Sequence, residues 1–224
     1  MSVQAGFLET QTKEVARVWE LVAPNPIFEL RAFHHLHLKK TQIKHFQTNA
    51  YDSITEFQKD VETAAINLNS NGYNCYTPIN PINQEFNRSA ARDVDIKARE
   101  LLFIDIDRST DTKNPATDWE IEQSKELADH IVAFLKTLDW PTPIRIMSGN
   151  GHHIYYRLTE IENNEETKNL IKRTLLNLAT RFNRPEVSID TGVFNASRIT
   201  KIPGTIARKG VESESRPYRM AVVL

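Results

Sequence analysis

The sequence contains a single cysteine, Cys75, so the chain can form no internal disulfide. That composition fits a reducing compartment, and we expect a cytoplasmic protein. No run of about 18 apolar residues occurs, so the sequence predicts no transmembrane helix and no membrane partner. The N-terminus lacks a basic stretch followed by an apolar one, so no signal peptide is predicted either.

Neither sign of charge dominates the chain. It has 28 lysines and arginines against 29 acidic residues, a net charge of −1 with neutral histidines. This balance argues against a protein that coats DNA without specificity, although it leaves room for a local basic groove. The 224 residues, 40% of them hydrophobic, suffice for one large globular domain or two small modules.

The most informative segment is Phe103-Ile104-Asp105-Ile106-Asp107, in which two carboxylates follow an apolar run. Alternate residues of a β-strand point to the same face of the sheet, so Asp105 and Asp107 share a face. Two adjacent acids repel each other, and burying them without a partner is costly. Because hard ions such as Mg²⁺ prefer carboxylate oxygens, the pair predicts a catalytic metal site.

The hydrophobic periodicity beyond residue 100 predicts the order strand, helix, strand, strand, helix, strand. This is the βαββαβ order of the ferredoxin-like or RNA-recognition-motif (RRM) fold, in the α+β class. We predict one domain over residues 1–224, in which an N-terminal α/β module (1–95) packs against an RRM-like catalytic module (96–224). The active site is expected in the cleft between them.

A second motif is the turn Ser148-Gly149-Asn150-Gly151-His152-His153, which joins two predicted strands. Glycines permit positive φ angles and leave backbone N–H groups uncovered, and such groups can bind phosphate. His153 begins the outgoing strand and could donate to a triphosphate. Taken alone, the segment is more simply a plain hairpin with two exposed histidines. Its position one helix after the acid pair favours the functional interpretation.

A third acid, Asp190, ends an apolar strand and precedes the one clearly basic window of the chain. The cations of that window are Arg198, Lys201, Arg208, Lys209, Arg216 and Arg219. Asp190 would supply a third carboxylate, and the cations would neutralise phosphates. A solvated surface is the usual alternative for such a run. The segment from Arg198 to Gly204 alternates, however, so its cations share one face.

Acids, a phosphate-binding turn and an organised basic face together suit phosphoryl or nucleotidyl transfer. A metal-dependent nuclease or phosphohydrolase would use the same acids. A non-catalytic single-strand-binding replication module is a third interpretation. A sugar-nucleotide transferase also carries Asp-x-Asp, but it explains neither the turn nor the late basic segment.

The three motifs, in this order, resemble the archaeo-eukaryotic primase superfamily and its bacterial, phage and plasmid primase-polymerases (PrimPol type). That family carries an acid-x-acid pair, a Ser-Gly-x-Gly-x-His turn, and a late Asp followed by an arginine-rich segment with Pro-Gly. Here they correspond to Asp105-Ile106-Asp107, Ser148 to His153, and Asp190 with Arg198 to Thr205. The resemblance covers residues 70–224. It implies a template-dependent nucleotidyltransferase that makes and extends primers on single-stranded DNA from NTPs or dNTPs.

Carried over by position, the resemblance implies that Asp105, Asp107 and Asp190 are catalytic and bind two Mg²⁺ or Mn²⁺ ions. The implied nucleotide-binding residues are Ser148, Gly149, Asn150, Gly151, His153, Arg198 and Lys201. His152 occupies a variable position and receives no role. Further candidates for template or nucleotide contacts are Asn80, Arg88, Arg99, Arg208 and Lys209. For the residues upstream of the acid pair, a solvated linker is an equal alternative.

The zinc-binding cysteine clusters of some relatives are missing from this sequence, so no zinc is expected. His34, His35 and His37 do not combine with Cys75 into a sound four-ligand site, and we interpret them as strand histidines, one facing the interior. Larger relatives carry a helicase or an additional priming domain. A replicative helicase or a further C-terminal domain is therefore a candidate partner.

Overall fold

The computed structural model describes residues 3–37 and 40–224. The helices are α1 (Val3–Ala16), α2 (Val18–Leu21), α3 (Ile54–Ser70), α4 (Asp118–Lys136) and α5 (Glu165–Phe182). The strands are β1 (Ile27–His34), β2 (Thr41–Gln47), β3 (Tyr73–Pro78), β4 (Ala98–Arg108), β5 (Ile144–Met147), β6 (His152–Glu162), β7 (Val187–Ile189), β8 (Ile199–Lys201), β9 (Ile206–Ala207), β10 (Arg219–Met220) and β11 (Val222–Val223). Within the described residues, no helix combines the length and the apolar character needed to cross a membrane.

The first sheet has four antiparallel strands in the order β2-β1-β3-β8. Helix α3 packs on one of its faces and begins at Ser53, whose hydroxyl accepts a hydrogen bond from the Glu56 amide at 3.2 Å. The buried side of α3 carries Phe57, Val61 and Leu68 at helical spacing. This sheet and helix support the strand segments that line the cavity described below.

The second sheet has five antiparallel strands in the order β11-β5-β6-β4-β7. From β4 onward the chain runs strand, helix, strand, strand, helix, strand, which is the order predicted from the periodicity. Helix α4 packs on β4, β6 and β7, and α5 packs on β7. Both helices begin with reciprocal side-chain caps, Thr117 with Glu120 and Asn164 with Thr167.

Strand β8 joins the first sheet, although it lies in the second half of the sequence. It pairs with β3 through Tyr76↔Lys201 and Thr77↔Thr200. The predicted division between residues 95 and 96 therefore does not separate the two sheets, because residues 199–201 complete the N-terminal one. Buried apolar residues of both sheets belong to one continuous core, which includes Leu30 from β1 and Ile104 from β4.

Helix α1 is hydrogen-bonded to the segment that follows β8. The Gln11 side-chain amide donates to the Gly204 carbonyl at 3.1 Å, and Gly204 has a φ of +71°. A Cβ atom at Gly204 would overlap the Val15 amide and lie 2.7 Å from the Gln11 carbonyl oxygen. Only glycine therefore fits this approach without strain.

We expect Gly204→Ala to lower the free energy of unfolding by about 1–3 kcal/mol, because it adds both a steric overlap and an unfavourable φ. Urea denaturation followed by circular dichroism measures the change. The control is Gly6→Ala within α1, where nothing lies within 4 Å of the added Cβ. That variant should be neutral or more stable by up to about 1 kcal/mol. Equal stability of the two variants would contradict the argument.

Candidate active site

A cavity of about 830 Å³ is lined by residues of both sheets. Strand β4 contributes Phe103, Asp105 and Asp107, which alternate along the strand and so share its cavity face. The intervening Ile104 and Ile106 are fully buried on the other face. The two carboxylates predicted to share a face are thus both found at the cavity.

Three polar residues form a row across the second sheet. Asp105 is directly opposite His153 on β6, and its carboxylate Oδ1 lies 3.3 Å from His153 Nε2. On the other side of β4, the Asp190 amide donates to the Asp105 carbonyl at 2.9 Å. The sheet thus brings Asp190 next to Asp105, 85 positions earlier in the chain, through the β4–β7 ladder.

The side chain of Asp190 does not join the other two acids at the cavity. It is exposed, and its Oδ1 accepts a hydrogen bond from the Gly192 amide at 2.7 Å. The backbone position therefore agrees with the predicted third carboxylate, whereas the side-chain orientation does not. Rotation about the side-chain bonds of Asp190 would be needed to bring this carboxylate to the pair.

The electrostatics of the acid pair are unfavourable without a cation. Burial and, to a smaller extent, the neighbouring Asp105 carboxylate raise the pKa of Asp107 to about 6. Lys209, His153 and Arg108 act in the opposite direction but do not cancel the effect. Asp107 therefore binds a proton more readily than an exposed aspartate does.

The carboxylates of Asp105 and Asp107 supply some, but not all, of the ligands that a hard divalent cation needs. Asp105 Oδ1 is buried and makes no hydrogen bond, because its approach to His153 lacks hydrogen-bond geometry. A buried carboxylate oxygen without a donor is costly unless a cation approaches it. Within residues 3–37 and 40–224, however, no three His, Cys, Asp or Glu side chains are grouped so as to hold a metal. The structure thus offers two carboxylates, and a third ligand would require Asp190 to turn.

The two adjacent histidines of the turn have opposite environments. His152 is 2% exposed, contacts the Ser124 hydroxyl on α4 at 2.8 Å, and burial lowers its pKa to about 4. It is a neutral core residue, in keeping with the absence of any assigned role. His153 faces the cavity, and its Nδ1 lies 2.8 Å from the Tyr155 hydroxyl.

The turn over residues 148–151 is held by its own hydrogen bonds, so its glycine amides are not free to bind a ligand. The Gly151 amide donates to the Ser148 hydroxyl at 3.2 Å, and the Gly149 amide contacts the Met147 sulfur at 3.0 Å. These amides are therefore not the uncovered phosphate donors that we predicted. A Cβ at Gly151 would overlap the Ile106 carbonyl and lie 2.5 Å from Asp107 Oδ1, so glycine lets the turn approach the acid.

Ser148 and Asn150 line the cavity, but their side-chain oxygens are already hydrogen-bonded to other parts of the protein. The Ser148 hydroxyl donates to the Gly151 carbonyl at 3.2 Å, and Asn150 Oδ1 accepts from the Ala116 amide at 2.9 Å. These bonds connect the turn to itself and to the loop before α4. Their predicted role as phosphate ligands would require exchange of these bonds.

Several cations face the acids across the cavity. The lysines and arginines that line it are Lys113, Arg198, Lys201, Arg208 and Lys209. Arg198 Nε and Arg208 Nη1 are buried and have no hydrogen-bond partner, so each has unused donor capacity. Four of these five cations belong to the basic window predicted to bind phosphate.

Lys201 is almost fully buried at the cavity wall, where its ammonium group donates to the Ile206 carbonyl at 3.1 Å and lies 5.4 Å from the centre of the Tyr76 ring. Among the described residues, no carboxylate lies within 4 Å of it. Burial lowers the pKa of Lys201 to about 7. An anion beside this group would restore its charge.

Three of the candidates for template or nucleotide contacts lie away from the cavity. Asn80 is buried, and its side-chain amide donates to the Ala196 carbonyl and accepts from the Glu100 amide, so it joins its own loop to β4 and to the loop that carries Ala196. Arg99 is 2% exposed and donates to the Phe194 carbonyl at 2.9 Å. Arg88 is exposed and pairs with Asp95 at 3.3 Å. Asn80 and Arg99 are thus structural residues, which corrects the prediction for both.

The basic window also divides into two parts. Arg216 pairs with Glu120 at 2.8 Å, and Arg219 pairs with Asp118 at 2.5 Å. Both therefore hold the C-terminal segment against the start of α4. They were predicted to neutralise phosphates, but their charges are already matched.

Part of the cavity lining was not predicted from the sequence. The missed residues are Phe33, His34, His35, Asn74, Tyr76, Phe103, Thr112, Lys113, Ile199, Thr200, Ala207 and Gly210. His34 and His35 were interpreted as strand histidines, yet both line the cavity on the first sheet. His34 is the last residue of β1 and His35 follows the strand. This adjacent pair has no periodicity that would show what covers each side chain, so no local signal could have identified them.

The comparisons with known proteins support the fold alone. Protein-family models give no match, and neither does a search of curated proteins. Among solved structures, the chain is similar to one described as the crystal structure of primase RepB′, with a TM-score of 0.56 and 10% sequence identity. The match covers 96% of this chain and 56% of that one, so this chain spans little more than half the length of the primase structure. The chain therefore has a primase-like fold of mixed helices and strands.

We expect Asp107→Asn to raise the free energy of unfolding by about 1–3 kcal/mol at neutral pH without divalent metal, since it removes a buried charge next to Asp105. The folded-state pKa of Asp107, about 6, exceeds the ordinary value of 3.8, so its destabilising effect develops as the pH rises through this window. Urea unfolding measures the difference. Asp190→Asn, on an exposed side chain, should leave stability unchanged. A less stable Asp107→Asn protein would be inconsistent with repulsion.

Proposed function

We propose that this chain is the catalytic part of a DNA primase-polymerase, which joins nucleotides on a single-stranded DNA template from NTPs or dNTPs. The observation that carries the proposal is the cavity itself, in which Asp105, Asp107 and His153 face Arg198, Lys201 and Lys209. Acids that can bind a cation and cations that can bind a triphosphate are the two requirements of nucleotidyl transfer.

The architecture supports the same proposal. The spatial order β7-β4-β6-β5 is that of a ferredoxin-like sheet, the arrangement that the archaeo-eukaryotic primase resemblance implies. The structural likeness to a primase at a TM-score of 0.56 agrees with it. Fold alone does not establish function, so the site residues are the main support for the proposal.

Asp105 and Asp107 would hold Mg²⁺ or Mn²⁺, with Asp190 joining them after its side chain turns. Such a cation, when bound, lowers the pKa of the attacking 3′-hydroxyl and neutralises charge on the departing pyrophosphate. The proposal includes no zinc, and its second metal rests on the family resemblance.

The remaining residues bind and orient the nucleotide. His153 Nε2 points towards Asp105 without a committed hydrogen bond, so it can donate to a phosphate oxygen. Arg198 has a buried Nε donor to offer, and Lys201 supplies charge from the first sheet. Holding a triphosphate from both sheets would fix its orientation for in-line attack. Arg208 and Lys209 are further candidates for nucleotide or template contacts.

The test uses an unprimed single-stranded DNA template with labelled NTPs or dNTPs, in Mg²⁺ and in Mn²⁺. We expect metal-dependent synthesis by the wild-type chain and a loss of at least about a thousandfold in Asp105→Ala/Asp107→Ala. Asp52→Asn, an exposed carboxylate outside the cavity, is the matched control and should retain activity. Cleavage of the strand without incorporation would instead indicate a nuclease, and binding without either reaction a non-catalytic module.

We expect the affinity for a nucleoside triphosphate to fall by up to about tenfold per pH unit above pH 7, because the free Lys201 loses its proton there and the bound triphosphate needs it charged. Affinity should be nearly constant just below that pH. Titration of nucleotide binding in the presence of Ca²⁺ at several pH values measures this. Lys201→Met should bind more weakly and lose the pH dependence. An identical slope in that variant would exclude Lys201 as its source.

A further inference from the structure

A buried hydroxyl network joins the two sheets behind His153. The Tyr155 hydroxyl lies 2.8 Å from His153 Nδ1 and makes a short hydrogen bond with the Thr200 hydroxyl. Tyr155 belongs to β6 of the second sheet, whereas Thr200 belongs to β8 of the first. Tyr155 and Thr200 are at most 1% exposed, so water does not compete for these bonds.

The direction of the hydrogen bonds follows from the number of available acceptors. Among the described residues, the neighbours of the Thr200 hydroxyl within hydrogen-bond distance are the Tyr155 hydroxyl and, at 3.5 Å, His153 Nδ1. If His153 Nδ1 carried the proton, Tyr155 would donate to Thr200, and the Thr200 proton would be buried without an acceptor. If Thr200 donates to Tyr155 and Tyr155 donates to His153 Nδ1, both buried hydroxyl protons have an acceptor.

We propose that Tyr155 and Thr200 are positioning residues that hold His153 in its Nε2–H tautomer, with that N–H directed into the cavity. The inference rests on the proposed function, because it assigns the N–H to a phosphate oxygen of the nucleotide. Because Nδ1 accepts the hydrogen bond from the Tyr155 hydroxyl, the proton of the neutral His153 ring is on Nε2. The adjacent ring of Phe103 stacks on Tyr155 at 4.9 Å with an interplanar angle of 4°, which fixes the tyrosine ring independently of its hydroxyl.

Because the network includes a residue from each sheet, the position of the proton on His153 depends on how the two sheets pack together. Thr200 is adjacent to Lys201 on β8, and its hydroxyl reaches Tyr155 on β6, so the contact joins the first sheet to the second. Displacement of β8 would separate Thr200 from Tyr155 and leave the tautomer of His153 unconstrained. The Nε2–H donor is therefore fixed as the single form only when the first sheet is in place.

The first test is Tyr155→Phe, which removes the hydroxyl and keeps the stacked ring. We expect the KM for the nucleotide to rise about tenfold with kcat changed less, because the histidine contact acts in binding and is made in both the ground state and the transition state. Thr200→Val should have the same effect, and Thr200→Ser, which keeps the hydroxyl, should restore the wild-type KM. Tyr156→Phe is the control, since Tyr156 is buried next to Trp140 on the opposite face of β6.

The second test needs no nucleotide. Nitrogen-15 spectra of histidine side chains at about pH 8 distinguish the two neutral tautomers, and the His153→Gln variant identifies the His153 signals. We expect one Nε2–H form in the wild type and a mixture of tautomers in Tyr155→Phe and Thr200→Val. If the wild type synthesises no DNA, the proposed function fails while this spectrum still tests the network.

The network assignment would be overturned by a Tyr155→Phe protein that keeps both the wild-type KM and a single Nε2–H tautomer. A wild-type spectrum with the proton on Nδ1 would overturn it as well. Equal losses in Tyr156→Phe and Tyr155→Phe would show that the effect comes from core packing, and this too would refute the positioning role.

Discussion

Repulsion between Asp105 and Asp107 is the constraint on which the rest of the site depends. Strand alternation places both carboxylates on one face of β4, and the cavity wall limits their access to water. Lys209 and Arg108 reduce the effect on Asp107 without removing it. The fold therefore keeps a pair of like charges whose repulsion lowers stability, a pattern that is typical of functional sites.

The site is assembled from segments that are distant in sequence but adjacent in the two sheets. Strand β4 brings the acids, β6 brings His153, and β8 brings Thr200 and Lys201 from a segment that pairs with the first sheet. Because β8 lies next to β3 and not next to β7, the chain crosses between the sheets after Asp190. Both sheets must be packed correctly before cations and acids face each other, so folding and formation of the site are coupled.

Local patterns predicted the order of strands and helices from β4 to β7 and the acid pair on one face, because each depends on the periodicity of neighbouring residues. They did not predict the partners of individual polar groups. Asn80 was a candidate for a template or nucleotide contact, but its side-chain amide is hydrogen-bonded to the Ala196 carbonyl and to the Glu100 amide on β4. Arg216 and Arg219 belong to the same basic window as Arg208, and long-range pairing with α4 alone distinguishes them. Side-chain rotation, which decides the position of the Asp190 carboxylate, leaves no trace in the sequence.

The distribution of charge in the cavity also separates the candidate reactions. Although the chain has a net charge of −1, five lysines and arginines surround two acids in one cavity. Both arginines among them, Arg198 and Arg208, have a buried donor atom without a hydrogen-bond partner. A nuclease substrate presents one negative charge per phosphodiester, spread along a strand. A triphosphate concentrates several charges within a few ångströms, and such a ligand matches a compact cluster of cations next to an acid pair. The excess of cations over carboxylates therefore favours a triphosphate ligand over the phosphodiester strand that a nuclease would bind.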